Sequence, residues 1–331
     1  MFTENYNGKN ALITGGLGFI GSTLSIRLAE LGAKVTVIDS LIPEYGGNLF
    51  NVEPVKDRIR INISDVRDRS SINYLVKGQD YLFNLAGTLS HIDSMRDPFT
   101  DLEINCVSQL RILEACREYN PGIKIVFAGT RGQYGRAQYL PVDEKHPLHS
   151  SDVNGINNNA GENYHLLYNE VYGIRACSLR LTNTYGPRHE MKHPRQGVLN
   201  WFIRQIIDGL VIYIYGSGSQ IRDTNYVDDV VDAMLLAMMT EATNGEVFNL
   251  GGEPLSLVQF VEALIEVNGG GKYELVAFPG ELKAIEIGDY IASYAKFTAL
   301  TGWEPKVDLK EGLAKSLEYY RANGPNYWSR G

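Results

Sequence analysis

TGGLGFIG, residues 14–21, decides how the rest of the chain is read. It follows NALIT (10–14), an apolar run read as a first strand, and opens FIGSTLSIRLAELG (19–32), read as a helix that Gly32 ends. The three glycines between strand and helix have separate duties. Gly15 permits a tight turn, Gly18 lets backbone amides approach a pyrophosphate, and Gly21 lets the helix lie close to the strand. The helix N-terminus, with Phe19 and Ile20 in its first turn, favours the negative charge of a dinucleotide. KVTVID (34–39) is a second strand, and its last residue, Asp39, is placed to accept hydrogen bonds from ribose hydroxyls and to repel a 2′-phosphate. No Lys or Arg lies between Ser40 and Val55 to neutralise such a phosphate. The expected cofactor is therefore NAD and not NADP.

Outward from this unit the pattern continues. RIRINI (58–63), DYLFNLA (80–86), IKIVFAG (123–129) and GIRACSLRL (173–181) are further strands. Helices are expected over 101–120, closed by Pro121-Gly122, and from about Asn154 to Tyr172. Strands alternating with helices imply an α/β fold with a doubly wound parallel sheet. The rhythm then changes. TNTYGPRHEMKHPRQG (182–197) is a polar loop too long for a plain connection, and GSGSQIRDTNYVDD (216–229) is another. A smaller α/β lobe over the open end of the sheet is expected. Its share is about 186–223 and 251–331, leaving 1–185 and about 224–250 to the dinucleotide-binding domain.

The 331 residues are 44% apolar and 21% charged, ordinary for a chain with a full core. A net charge of -8 argues against nucleic-acid or anionic-membrane partners, which need clustered Lys and Arg. Cys106, Cys116 and Cys177 show no CxxC spacing and read as buried free thiols; no metal site is expected. The N-terminus has no signal-like apolar core, and no apolar run reaches the length of about 20 residues that spans a bilayer. A cytoplasmic location is the expectation.

These motifs, in this order, resemble the extended short-chain dehydrogenase/reductase family in its nucleotide-sugar epimerase/dehydratase branch, of the UDP-glucose 4-epimerase kind. TGGLGFIG matches the family's glycine motif, and Asp65-Val66 its adenine contact after the third strand. NLAG (84–87), with Leu85, Ala86 and Gly87, matches its fourth-strand segment, HIDSMRDP (91–98) the following loop, and Asn105 a helix asparagine. TNTYGPR (182–188), RDTNYVDDVV (222–231) and NLGG (249–252) match its substrate-side landmarks. The resemblance implies a Rossmann sheet with NAD across its carboxyl edge and a nucleotide-diphosphate sugar between the lobes. It also implies a homodimer formed through the helices at 101–120 and 154–172. Asn183 corresponds to a residue near the substrate diphosphate, and Arg222 to a basic residue that pairs with it, a role suited to the guanidinium fork. Arg188 and Arg195 are weaker candidates for the same anion.

One family motif is broken. A Ser or Thr follows the family's fifth strand, and Thr130 in FAGTRGQYG (127–135) matches it. The Tyr-x-x-x-Lys that should open the next helix is absent: Asn154 stands where Tyr belongs and Asn158 where Lys belongs. A tyrosine near pKa 10 needs an adjacent ammonium to act as a base at neutral pH, and asparagine accepts no proton there. Three readings follow. The first, favoured, is an enzyme with a relocated acid/base, with Tyr134 and His91 as candidates; His165 is too far along the helix. The second is a protein that binds NAD and a sugar nucleotide without turnover. The third is a different helix register, disfavoured because Gly155 and Glu162 both fit.

Family enzymes oxidise a sugar hydroxyl, usually at C4, to a transient ketone. Their 4,6-dehydratases carry Asp-Glu after the Thr, whereas Arg131-Gly132 follow Thr130 here. Dehydration by that route is disfavoured. Decarboxylation of a uronic acid stays open, since Arg131 can meet a carboxylate. The expected function is epimerisation, with Thr130 hydrogen-bonding the reacting oxygen and Asn154 and Asn158 orienting substrate or nicotinamide ribose.

Overall fold

The computed structural model describes residues 2–42, 45–280 and 286–329. One sheet contains β1 (Asn10–Thr14), β2 (Lys34–Asp39), β3 (Arg60–Ile63), β4 (Tyr81–Asn84), β5 (Lys124–Thr130), β6 (Arg175–Leu181) and β10 (Val247–Asn249). Their order is β10-β6-β5-β4-β1-β2-β3, and every pairing is parallel. Helices cover both faces, which is why these strands read as apolar runs and not as alternating ones. Strand order reverses between β1 and β4, so a crevice opens at their carboxyl ends, and ligands of such sheets bind there. The expected doubly wound sheet is present.

Two smaller sheets cap that end. One is β11 (Glu253–Ser256), β9 (Ile221–Tyr226) and β7 (Asn183–Tyr185); the other is β12 (Tyr273–Val276) with β8 (Ile212–Tyr215). With the helices Val198–Ile207, Leu257–Asn268 and Leu309–Asn323 they enclose a core of their own, including Phe202, Ile203, Phe260, Leu313 and Tyr320. Residues 281–285, inside the span expected for the smaller lobe, lie outside the described residues. The three cysteines are buried and free.

Two local departures from the sequence reading bear on the site. DYLFNLA leaves the sheet at Asn84 because the Leu85 and Ala86 amides turn to donate to the Thr14 hydroxyl, each at 3.0 Å. The expected helix over 101–120 is three pieces: an α-helix at Pro98–Leu102, a π-turn at Glu103–Val107 and an α-helix at Ser108–Tyr119. The π-turn holds Asn105, whose carboxamide accepts from the Thr88 amide at 3.0 Å and donates to the Thr88 hydroxyl at 2.6 Å. A one-residue widening of a helix at such a contact is a common device near functional sites.

The helix Val153–Tyr172 starts on Asp152, whose side chain accepts from the Gly155 amide at 2.8 Å, and ends on Gly173 at φ 68°. Its buried side carries His165, stacked on Phe127 with ring centroids 4.5 Å apart. His165 Nδ1 donates to the Gly161 carbonyl at 2.7 Å, and Nε2 receives the Asn84 amide at 3.2 Å. Burial pushes this imidazole down to about 4, so it is neutral structural packing and no base. The sign of its linkage follows. Between pH 6.5 and 4 the unfolded chain binds a proton that the folded chain excludes, so acidification through that window removes stability, on the order of 3 kcal/mol in full. Denaturant unfolding across pH 4–7 is expected to show a shallower loss in His165→Gln than in the parent. Parallel curves would refute this.

Candidate active site

A cleft of about 680 Å³ runs from the glycine turn, across the carboxyl ends of β1, β4 and β5, to the outer face of β8. Its cofactor half is built as the motif demands. Gly15 has φ 66°, and a Cβ there would sit 3.1 Å from the Ala86 backbone, which the Thr14 hydroxyl has drawn in. Only glycine satisfies both conditions. A Cβ on Gly21 would fall on the Gly15 carbonyl oxygen. Gly18, Phe19 and Ile20 line the cleft at the start of the helix Phe19–Glu30, and Leu85, Ala86, Gly87 and Asn105 line it from the other side.

Asp39 ends β2 in the cleft wall and accepts from the amides of Leu17 at 3.1 Å and Leu41 at 2.9 Å. Burial raises its carboxyl above the ordinary range, against the pull of those two amides. Asp65 and Val66 also line the cleft, and a hydrogen bond from Arg67 holds the Asp65 carboxyl below its usual value. An amide-lined turn at a helix start, followed by a half-buried carboxylate with no nearby cation from residues 40–55, fits NAD and opposes a 2′-phosphate.

The reacting end gathers residues from three segments. Thr130 closes β5; its hydroxyl oxygen accepts from the Gly132 amide at 3.1 Å, leaving its own proton to donate outward. His91 opens the short helix His91–Arg96 that follows β4. Its ring and the Thr130 hydroxyl flank Gly132 together: a Cβ on Gly132 would lie 3.0 Å from His91 Cε1 and 3.6 Å from Thr130 Oγ1. His91 Nδ1 is 2.6 Å from the Asp152 carboxylate, and Nε2 has no hydrogen-bond partner among the described residues. Burial works to raise the Asp152 carboxyl, but the His91 hydrogen bond and charge outweigh it and hold the group below its ordinary value. Asp152 is a cleft residue that the sequence reading does not single out; its trace in the sequence is its position as a helix cap before Gly155.

The other predicted acid/base position is corrected. Tyr134 does not line the cleft. It is fully buried, donates to Asn249 Oδ1 at 2.7 Å and accepts from Arg180 at 2.6 Å, while Arg180 is itself ion-paired with Glu162. Burial raises this phenol further. Four residues past Thr130, the 3-10 turn Arg131–Gln133 has carried the side chain away from the cleft and into the protein.

Asn154 and Asn158 do line the cleft, but their amide donors point into the protein. Asn154 Nδ2 donates to the Thr88 carbonyl at 2.7 Å and to Asp101 at 2.9 Å, and Asn158 Nδ2 to the Asn154 carbonyl at 2.9 Å. Asp101, buried, also accepts from the Thr88 hydroxyl at 2.6 Å and Asn157 at 2.8 Å. The pair thus serves a carboxylate knot behind the site, and only the Asn oxygens remain to meet a ligand.

The substrate-side arginines separate. Arg222 is buried in the cleft wall, paired with Glu286 at 2.7 Å and bonded to the carbonyls of Gly288 at 2.6 Å and Ile221 at 2.9 Å. Arg131 lines the cleft and donates to Asn183 at 3.3 Å. Arg195 lines it and pairs with Asp93 at 2.9 Å. Arg188 is corrected: it is outside the cleft, with its guanidinium 5.3 Å above the Tyr319 ring. At the far end Tyr213 and Tyr215 face the cleft with Gln205 and Gln220. The two Gln nitrogens donate to the Val211 and Tyr215 carbonyls at 3.3 and 3.1 Å, and their oxygens have no hydrogen-bond partner among the described residues.

A family model described as the NAD dependent epimerase/dehydratase family matches residues 11–251, and the chain belongs to that family. A putative UDP-glucose 4-epimerase of Methanocaldococcus jannaschii is 33% identical over 319 residues, 94% of this chain and 98% of that protein. A UDP-N-acetyl-alpha-D-glucosaminuronate decarboxylase of Bacillus cytotoxicus is 30% identical over 322 residues, 95% of this chain and 98% of that protein. Among solved structures, the UDP-glucose 4-epimerase of Thermotoga maritima with UDP-glucose superposes with a TM-score of 0.84 at 33% identity, covering 95% of this chain and 99% of its own. NAD is the cofactor of this family, and the cleft described above fits it.

Proposed function

We propose that the protein is an NAD-dependent epimerase of a nucleotide-diphosphate sugar whose acid/base is the His91–Asp152 pair in place of a tyrosine and lysine. The observation that carries this reading is an imidazole with one nitrogen held by a carboxylate and the other unpartnered, beside a free hydroxyl proton, in the cleft that holds the glycine turn. Asp152 fixes the tautomer with hydrogen on Nδ1, so Nε2 is the basic atom. His91 Nε2 takes the proton of the sugar hydroxyl, Asp152 stabilises the imidazolium that results, and Thr130 donates a hydrogen bond to the same sugar oxygen. His91 then returns the proton when the alcohol is re-formed on the opposite face. Bound NAD supplies the hydride acceptor and donor for this reaction.

Gly15, Gly18, Gly21 and Asp39 hold the cofactor. Asn183, Arg195 and Arg222 face the diphosphate side, and Tyr213 and Tyr215 with the Gln205 and Gln220 oxygens supply a stacking and hydrogen-bonding end for the base. The chain also pairs with a second copy through the outer face of the helix Val153–Tyr172, where Ile156, Leu167 and Val171 are exposed on one stripe. Sedimentation reading a single 36.9 kDa chain would refute that pairing.

The test of function is turnover by NAD-loaded protein on UDP-, dTDP-, GDP- and CDP-sugars followed by NMR. The expected product from one of them is the C4 epimer. Tight binding of a sugar nucleotide with no conversion across the panel overturns the reading in favour of a binding protein.

A further inference from the structure

Arg131 presents an unusual electrostatic situation. Its guanidinium lines the cleft with a single hydrogen bond, to the neutral Asn183 carboxamide, and its other close neighbour is the Tyr290 ring at 5.6 Å. Among the described residues it forms no ion pair. The carboxylates whose charge it meets are already committed. Asp152 is held by His91 and the Gly155 amide, and Asp223 accepts from the Thr182 hydroxyl and the Ala292 amide. Burial, and then the charge of Arg222, pull the Arg131 guanidinium down to about 10, so it remains a cation at neutral pH. Arg222 has its counter-charge in Glu286. A half-buried guanidinium with no carboxylate of its own is poorly compensated, and a bound anion is the usual relief.

The position of Arg131 says which anion. It directly follows Thr130, its turn packs against the His91 ring through Gly132, and its charge reaches Asp152. It therefore serves the reacting end of the cleft. We propose that the sugar this cleft takes is acidic, carrying a carboxylate near the reacting carbon, and that Arg131 is the residue that selects it. This rests on the nucleotide-sugar reading and names its substrate class. A planar fork facing a planar carboxylate gives a bidentate, charge-assisted contact that a neutral hydroxymethyl group cannot offer.

Calorimetric titration of the NAD-loaded protein with UDP, UDP-glucose and UDP-glucuronate tests it. The parent is expected to bind UDP-glucuronate at least tenfold more tightly than UDP-glucose. Arg131→Gln should weaken UDP-glucuronate by about 10- to 100-fold while leaving UDP within twofold, and Arg131→Lys should recover part of the loss. Unchanged NAD affinity in both variants reads out an intact fold. Equal binding of the two sugars by the parent overturns the proposal, as does a loss of UDP itself in Arg131→Gln, which would make Arg131 a diphosphate ligand. Failure of the parent to bind UDP, dTDP, GDP or CDP, or any sugar of these four, is a different result: it strikes at the nucleotide-sugar reading, and at this proposal with it.

Discussion

Replacing His91 with glutamine is expected to lower kcat by two to four orders of magnitude, the usual worth of a positioned general base. Glutamine keeps the polar volume and can still hydrogen-bond Asp152, so the helix cap is preserved, but it accepts no proton. Three readouts separate a chemical role from a structural one. NAD affinity should be unchanged, because the glycine turn and Asp39 are not touched. The KM for the sugar nucleotide should change little, because its diphosphate and base contacts are not touched. Asp152→Asn should fall between parent and His91→Gln, since a carboxamide oxygen can still hold Nδ1–H but no longer stabilises the imidazolium. A kcat within tenfold of the parent in His91→Gln would place the base elsewhere.

Gly21→Ala is the second large effect. The added Cβ would coincide with the Gly15 carbonyl oxygen and lie 2.9 Å from the carbon bearing it, both backbone atoms that no rotamer change can move. The helix must then lift from the strand. That lift displaces the amides at the helix start from the pyrophosphate, so two losses are expected together: a fall in NAD affinity of about 100-fold or more, and about 1–3 kcal/mol of stability from overpacking. Fluorescence titration with NADH and denaturant melts measure them independently. A variant binding within threefold of the parent would mean that the turn does not position the cofactor as described.

Much of this molecule is legible in its sequence. The glycine turn, the strand that precedes it and Asp39 are near neighbours in sequence, and their geometry is set locally by φ, by Cβ volume and by strand alternation. The break at Asn154 and Asn158 was legible for the same reason, because a helix fixes i, i+4 positions. What could not be read depends on partners far along the chain. His91 gains meaning only from Asp152, 61 residues later. Tyr134 looked available from its spacing to Thr130, yet the 3-10 turn between them sends it to Asn249 and Arg180. Arg222 reads as a free phosphate clamp until Glu286 is seen beside it. The π-turn at Glu103–Val107 leaves no pattern that distinguishes it from the ordinary helix on either side.

The Asp101 knot limits how this chain can change. A tyrosine reinstated at 154 would bring a phenol where the knot needs an amide donor, stripping a buried carboxylate of one of its three side-chain hydrogen bonds. Positions 101 and 154 are therefore locked to one another: neither can drift alone without leaving a charge stranded in the interior. An engineer wishing to install a tyrosine relay on this helix would have to rewrite both ends at once.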